Sequence, residues 1–185
     1  MKKILVIGVT GQPSSGKDTV ANYLASLGFV HISTSDLIRE EMRKQGLSTD
    51  RPQIHEFVTE RRKERGLGYL AELTVKKIDK DSVVSGLRNT SEIQILKDAF
   101  GANFILLAMD APFEMRYKWV LGRKRDSKDL TFEEFKAEED AERNRSDGAF
   151  QVDKVIKMAD EVILNDGIKE DLLKNVDDLL KKYST

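Results

Sequence analysis

The stretch GVTGQPSSGKDTV, residues 8–20, holds the residue types best spaced to do chemistry. Gly11, Gly16 and Lys17 match the spacing G-x-x-x-x-G-K. Glycine permits backbone torsions and close approaches that a Cβ would block. The successive N–H groups around Ser14, Ser15 and Gly16 can then point at phosphate oxygens, helped by the positive end of the helix that opens here. Lys17 adds a mobile positive charge for the β- and γ-phosphates. Three fixed residues of this kind occur by chance roughly once in 3,000 windows, so context decides. An apolar run lies directly before the loop and a helical pattern directly after it. The chemistry implied is the binding of ATP through its phosphates.

Asp18 is the unusual residue of the loop, because the position after such a lysine commonly offers a hydroxyl to Mg²⁺. Here that hydroxyl can come from Thr19, one place later. A carboxylate beside bare triphosphate is repelled, whereas one beside Mg²⁺ is not, since the ion inverts the local sign. Asp18 is therefore either a metal-linked group or a first-turn acid favoured by the helix dipole.

The elements that must position this loop read as alternating strands and helices. Apolar runs at 4–9, 29–33, 82–87, 103–109 and 161–165 are five strand candidates. The first is continuous and β-branched, as in a strand buried on both faces. Helical patterns follow the loop and cover 36–45, 53–66 and 67–80; another ends at Gly101, one runs from Pro112 to Gly122, and one closes the chain from Ile168 to Tyr183. The charged region 123–149 shows one short amphipathic helix around Phe132 and Phe135. Such alternation predicts an α/β fold, a parallel sheet with helices on both faces and right-handed connections.

The 185 residues suit one domain, with 39% apolar residues for a core and 34% charged residues for the surface. A net charge of −1 gives no electrostatic case for a nucleic acid polymer. The absence of cysteine excludes disulfides and thiol catalysis and suits a reducing compartment. The opening MKKILVIGVTGQP resembles the start of a signal peptide, but its apolar run is short and ends in Gly-Gln-Pro. No run approaches the ~18 apolar residues of a membrane span. A cytoplasmic protein with no membrane partner is the expectation.

The stretch VTGQPSSGKDTVANYLASLGFVHISTSDLIRE resembles the opening of the adenylate-kinase-like nucleoside monophosphate kinases. FVHISTSDLIREEMRKQG, VVSGLRNTSEIQILKDAFGANFILLAMDAP and ADEVILNDGIKEDLLKNV resemble archaeal P-loop kinases related to dephospho-coenzyme A kinase. The likeness runs in order through nearly the whole chain. It implies a three-layer α/β/α P-loop kinase fold with a five-stranded parallel sheet, a helical acceptor-binding insertion and a lid. The core would be 1–48, 81–122 and 159–185, the insertion 49–80 and the lid region 123–158. It implies ATP and Mg²⁺ as cofactors and a small-molecule phosphoryl acceptor, a nucleotide first.

Residue by residue, the resemblance puts Thr34 and Arg39 on the acceptor, and Arg88, in SGLRN, on the transferred phosphate. Arg123 and Arg125 match lid arginines, Arg123 serving ATP and Arg125 the acceptor, while Asn165 and Gly167 match the turn beside adenine. Lys17, Arg88, Arg123 and Asp36 are the expected catalytic set. Two departures stand out. Ser85 occupies a place where many relatives carry an aspartate that orders Mg²⁺ through water, which leaves Asp18, Thr19 and Asp36 as metal candidates. Ser35 replaces a usual glycine. Asp36 can also deprotonate an acceptor hydroxyl, or simply start a helix.

Phosphoryl transfer needs alignment, charge neutralisation and exclusion of water. Arg62, Arg143 and Arg145 can join the other arginines on the phosphates, or lie on solvated helix faces. His31 reads as strand packing, His55 as a residue of the insertion that can contact the acceptor, and Trp119 as packing rather than a base-stacking group. Three functions stand: a nucleoside monophosphate kinase first, then dephospho-coenzyme A kinase or another small-molecule kinase, then a regulatory ATPase.

Overall fold

A computed structural model describes residues 3–122, 130–143 and 151–183. Strand β1 (Val6–Gly11) is buried along its whole length. It lies at the centre of a five-stranded sheet with β2 (Val30–Ser33), β3 (Ser82–Ser85), β4 (Phe104–Asp110) and β5 (Glu161–Leu164), in the order β2-β3-β1-β4-β5. All four pairings are parallel. The β1–β3 register sets Val9 opposite Ser85, and the β1–β4 register sets Gly11 opposite Met109.

The helices are α1 (Lys17–Ser26), α2 (Thr34–Lys44), α3 (Arg51–Arg65), α4 (Tyr69–Val75), α5 (Thr90–Phe100), α6 (Phe113–Gly122), α7 (Phe132–Arg143), α8 (Val152–Lys157) and α9 (Lys169–Tyr183). Side chains alternate between the faces of a strand, and the core divides accordingly. Ile7, Val9, Val83 and Met109 pack against Val20 and Leu24 of α1 and against Leu172 and Val176 of α9. On the other face Val6, Val84 and Leu106 meet Ala71 of α4, Ile93 and Leu96 of α5, and Val155 of α8. A third cluster, with Ile38, Met42, Phe57 and Tyr69, holds α2, α3 and α4 together.

The first strand runs two residues further than its apolar pattern, because Thr10 and Gly11 still pair with β4. β3 stops at Ser85 rather than residue 87, since Gly86 turns the chain with φ +87°. α2 begins at Thr34, two residues early, with Ser33 accepting a hydrogen bond from Asp36 N. The helix expected over 67–80 spans only Tyr69–Val75. Within 123–158 the amphipathic helix is present as α7. A further helix, α8, has no apolar periodicity of its own and is fixed by Val155, which is wholly buried against the sheet. Among the described residues no helix is long and apolar enough to cross a membrane.

In an open parallel sheet, ligands bind beyond the carboxyl ends of the strands, where the strand order reverses. β1 is flanked by β3 and β4, so that crevice opens at Gly11. Ser33, Ser85, Asp110 and Leu164 end the other strands at the same edge.

Candidate functional site

The phosphate loop joins β1 to α1. Gly11 has φ +139°, and a Cβ there would lie 2.2 Å from Met109 O. Gly16 has φ +103°, and a Cβ there would lie 2.5 Å from Asn165 Nδ2. That Asn165 nitrogen donates to Ser15 O at 3.1 Å, so the turn after β5 grips the loop. The Ser15 side chain is fully buried, and its hydroxyl has no hydrogen-bond partner among the described residues. A buried unpaired hydroxyl is costly in a native fold and calls for a partner such as a ligand or water. Lys17 Nζ donates to Gln12 O at 2.6 Å, folded back over its own loop. Gln12 Nε2 donates to Asp153 Oδ1 of α8 at 2.6 Å.

Two hollows meet this loop. A cleft of about 210 Å³ is lined by Lys17, Asp18, Ser33, Ser35, Ser85 and Arg88, among others. A second, of about 400 Å³, is lined by Ser14, Gly16, Thr19, Trp119, Asn165 and Gly167, among others. A larger hollow of about 470 Å³ lies outside α1, against Asn22, Tyr23 and Ser26. Asp18 and Thr19 also line it, but its described lining holds neither the glycines of the loop nor an arginine, so the other two hollows are the candidates for the chemistry.

Across the cleft, Arg88 donates its backbone N–H to Glu92 Oε2 at 2.9 Å, and its carbonyl accepts from Gln151 N at 2.7 Å. Glu92 is fully buried and also accepts from Asn89 N. Burial pushes its carboxyl above the ordinary value, while the two N–H bonds and the Arg62 charge pull the other way. Sequence reasoning missed Glu92. Its signal was the capping box of α5, Asn89 with Glu92 three residues on.

The other predicted acceptor residues are placed differently. Thr34 is buried and its hydroxyl donates to Gly86 O at 3.1 Å, tying the start of α2 to the turn after β3. Arg39 pairs with Asp36 at 3.1 Å; both are well exposed and neither lines the cleft. Arg62 is largely buried, with its guanidinium 3.7 Å from Glu92. Arg123, Arg125 and Arg145 lie outside the described residues, and of Arg143 only the backbone, at the end of α7, is described.

His31 is exposed rather than packed, and its Nε2 lies 2.8 Å from Ser85 Oγ, so an imidazole backs the hydroxyl that stands in the aspartate position. β2 is an edge strand, which leaves its alternate side chains open to solvent. His55 is exposed on α3. Trp119 lines the 400 Å³ hollow beside Asn165 and Gly167; its place was hidden because α6 had to be folded against the loop first. Phe132 and Phe135 of α7 pack on Phe113 and Tyr117 of α6.

The donor set suits Mg²⁺ only in part. No cluster of three or more His, Asp or Glu side chains that could hold a metal occurs among the described residues. Mg²⁺ keeps several waters and commonly takes one or two carboxylates plus substrate phosphates. Asp18, in the cleft beside Lys17, fits that habit. Thr19 faces the second hollow, and Asp36 lies outside both.

An AAA-domain family model, AAA_17, matches residues 10–136. The UPF0200 protein of Sulfurisphaera tokodaii is 32% identical over 184 residues, covering 98% of this chain and 99% of its own. The UPF0200/UPF0201 protein of Archaeoglobus fulgidus is 31% identical over 97% of this chain, which spans only 56% of that longer protein. Among solved structures, shikimate kinase from Aquifex aeolicus has a TM-score of 0.54 at 18% identity, over 97% of this chain and 98% of its own. The APS kinase of Mycobacterium tuberculosis, solved with AMPPNP and APS, has a TM-score of 0.55 at 17% identity, over 98% and 99%. At these identities the structural likeness is one of fold. The chain belongs to the AAA_17 family of AAA domains, is a relative of the archaeal UPF0200 proteins, and has the fold of the P-loop kinases.

Proposed function

We propose that the chain is an ATP-dependent phosphotransferase that passes the γ-phosphoryl group to a small-molecule acceptor, with a nucleoside or deoxynucleoside monophosphate as the first candidate. The observation that carries this reading is the shared cleft: Lys17 of the donor loop and Arg88 beyond β3 line one hollow of about 210 Å³. In the reaction an acceptor oxygen forms a bond to the γ-phosphorus, the bond to the β–γ bridging oxygen breaks, and ADP leaves. Lys17 neutralises the β- and γ-phosphates, and Arg88 grips the transferring group or the acceptor phosphate. Gly11, Ser14 and Gly16 bind phosphate through main-chain N–H groups, Ser15 joins them by releasing its N–H from Gln12 O, now 3.2 Å away, and Asn165, Gly167 and Trp119 surround the base. Mg²⁺, when bound, would offset the negative charge of the phosphates. Asp18 is the residue of this chain that would hold it, directly or through water. Arg39 and Arg62 complete the phosphate grip by leaving Asp36 and Glu92, and Arg123 and Arg125 join them. We place the reaction in the cytoplasm, where ATP is supplied.

A second reading, a kinase for dephospho-coenzyme A or another alcohol, is favoured by one specific feature. The acceptor wall of the cleft offers the hydroxyls of Ser33, Ser35 and Ser85, whereas Arg39 and Arg62 are engaged with carboxylates elsewhere. A monophosphate oxygen is already anionic and needs no base, whereas an alcohol does. Incubation with ATP, Mg²⁺ and a panel of monophosphates and dephospho-coenzyme A, following ADP, separates the readings. ADP release stimulated by one acceptor names the kinase. Slow release that ignores every acceptor indicates a regulatory ATPase and ends the phosphotransferase reading.

A further inference from the structure

We infer that Arg116 of α6 and Glu139 of α7 form a positioning pair that aims one donor of the phosphate loop, the Ser14 N–H, at the bound nucleotide. The inference rests on the nucleotide-binding reading above. Arg116 is only 4% exposed and Glu139 5%. The carboxylate of Glu139 accepts from both terminal nitrogens of the guanidinium. Arg116 Nε donates to Ala111 O at 3.0 Å, and its Nη1 also donates to Pro13 O, inside the phosphate loop, at 3.3 Å. The ring of Phe113 lies 5.2 Å from the guanidinium carbon.

A buried ion pair is weak evidence for stability, because an apolar pair of similar volume often does as well. The contact with Pro13 gives this one a use. The peptide joining Pro13 to Ser14 is trans and planar, so its C=O and N–H point in opposite directions. Fixing Pro13 O on the Arg116 side therefore turns the Ser14 N–H to the opposite side. Ser14 holds φ +60°, a left-handed conformation uncommon for a residue with a Cβ. Such a conformation persists only where its surroundings impose it. Ser14 also lines the 400 Å³ hollow with Gly16 and Trp119, so an N–H turned away from Arg116 is within reach of that side. Glu139 in turn holds the fork of Arg116. Without that carboxylate a buried guanidinium loses its charge partner, Pro13 O loses its donor, and the peptide is free to rotate. A donor aimed in advance avoids reorganisation when the anion arrives.

The test is a titration of the protein with ADP, read by the amide signal of Ser14 in ¹⁵N-correlated NMR and by the fluorescence of Trp119, the single tryptophan. In the wild type, ADP should shift the Ser14 amide and change the fluorescence. In Glu139→Gln the Ser14 shift should largely vanish while those of Gly16 and Lys17 persist, and the ADP dissociation constant should rise about tenfold. Arg116→Lys, which keeps the charge and loses the fork, should behave in the same way. If these variants do not fold, Arg116→Met/Glu139→Leu removes both charges at once, and the same loss is expected. Wild-type affinity with an intact Ser14 shift in any folded variant overturns the positioning role. A wild-type protein that binds no ADP overturns the nucleotide reading, and the positioning role with it.

Discussion

The phosphate loop between β1 and α1 and the helical stretch from α2 to α4 hold their polar groups in different ways. The loop works with backbone. Gly11 and Gly16 hold torsions that a side chain would strain, and Asn165 fixes the Ser15 carbonyl. The helical stretch works with long side chains that hold one another. Arg39 pairs with Asp36, Arg61 with Glu64, Arg65 with Glu72 and Lys77 with Glu40. Buried polar atoms without a hydrogen-bond partner are distributed just as unevenly. Among the described residues Glu41, Arg61, Arg62, Tyr69 and Glu92 each have one on or beside the helical stretch, whereas the loop has only Ser15. Backbone donors are fixed once the fold forms, whereas paired arginines must exchange partners to take up a ligand. The loop backbone is therefore set by the fold, although Lys17 must leave Gln12 O, whereas on the proposed acceptor side Arg39 and Arg62 must exchange their partners.

The largest effect should come from the donor side. Lys17→Ala should lower ATP turnover roughly 100- to 1,000-fold, the scale of losing a preorganised charge or donor at the reacting group. Its far-ultraviolet circular dichroism should match the wild type, because the Lys17 side chain is outside the core. Turnover within a factor of two of wild type would remove the loop from the mechanism. On the acceptor side Arg88→Ala should lower kcat/KM for the acceptor roughly 10- to 150-fold, as for a lost hydrogen bond to a charged group. Its KM for ATP should stay put. A rise in the ATP KM alone would move Arg88 to the donor side and erase the division drawn above. Asp18→Asn is the next step down: the Mg²⁺ concentration for half-maximal rate should rise severalfold, since a carboxylate near the ion is lost. An unmoved Mg²⁺ titration would leave Asp18 as an acid at the start of α1, serving the helix dipole.

The phosphate loop was also the legible part. Its strand, glycines, lysine and helix are contiguous, so periodicity and turn chemistry point to one local structure. The sheet was legible for a similar reason, as each strand is a short apolar run closed by a polar or glycine residue. The positions that escaped are made by distance in sequence. Glu92 meets Arg62 from another helix. Arg116 meets Glu139 across residues that separate α6 from α7. Asn165 reaches Ser15 from 150 positions away, and only the resemblance to P-loop kinases pointed to it. Helix α8 has six residues, and what orders it is the burial of Val155. Arg62 shows the converse: its type and insertion suggested a phosphate ligand, but a buried carboxylate from α5 stands beside it.

The smallest effect tests whether that buried carboxylate belongs to the acceptor side as a structural charge. Glu92 is raised above the 4.5 expected of a glutamate, with burial the leading cause. As pH rises past 4.5 the unfolded chain gives up this proton while the folded chain keeps it. The folded state then binds more protons, so stability falls with pH until the folded carboxyl also ionises. Glu92→Gln cannot titrate, yet its side-chain oxygen can still accept from the N–H groups of Arg88 and Asn89. The stability of wild type minus that of Glu92→Gln, from urea midpoints, should therefore decline from pH 4.5 upward and then level off. Glu40 supplies the opposite sign: Lys44 and Lys77 hold it at about 2, so its contribution is lost as pH falls from 4.5 towards 2. The two windows do not overlap. A wild-type-minus-variant difference that is flat above pH 4.5 would mean that Arg62 and the two N–H groups offset the burial of Glu92 in full, and that the acceptor side carries no strained charge there.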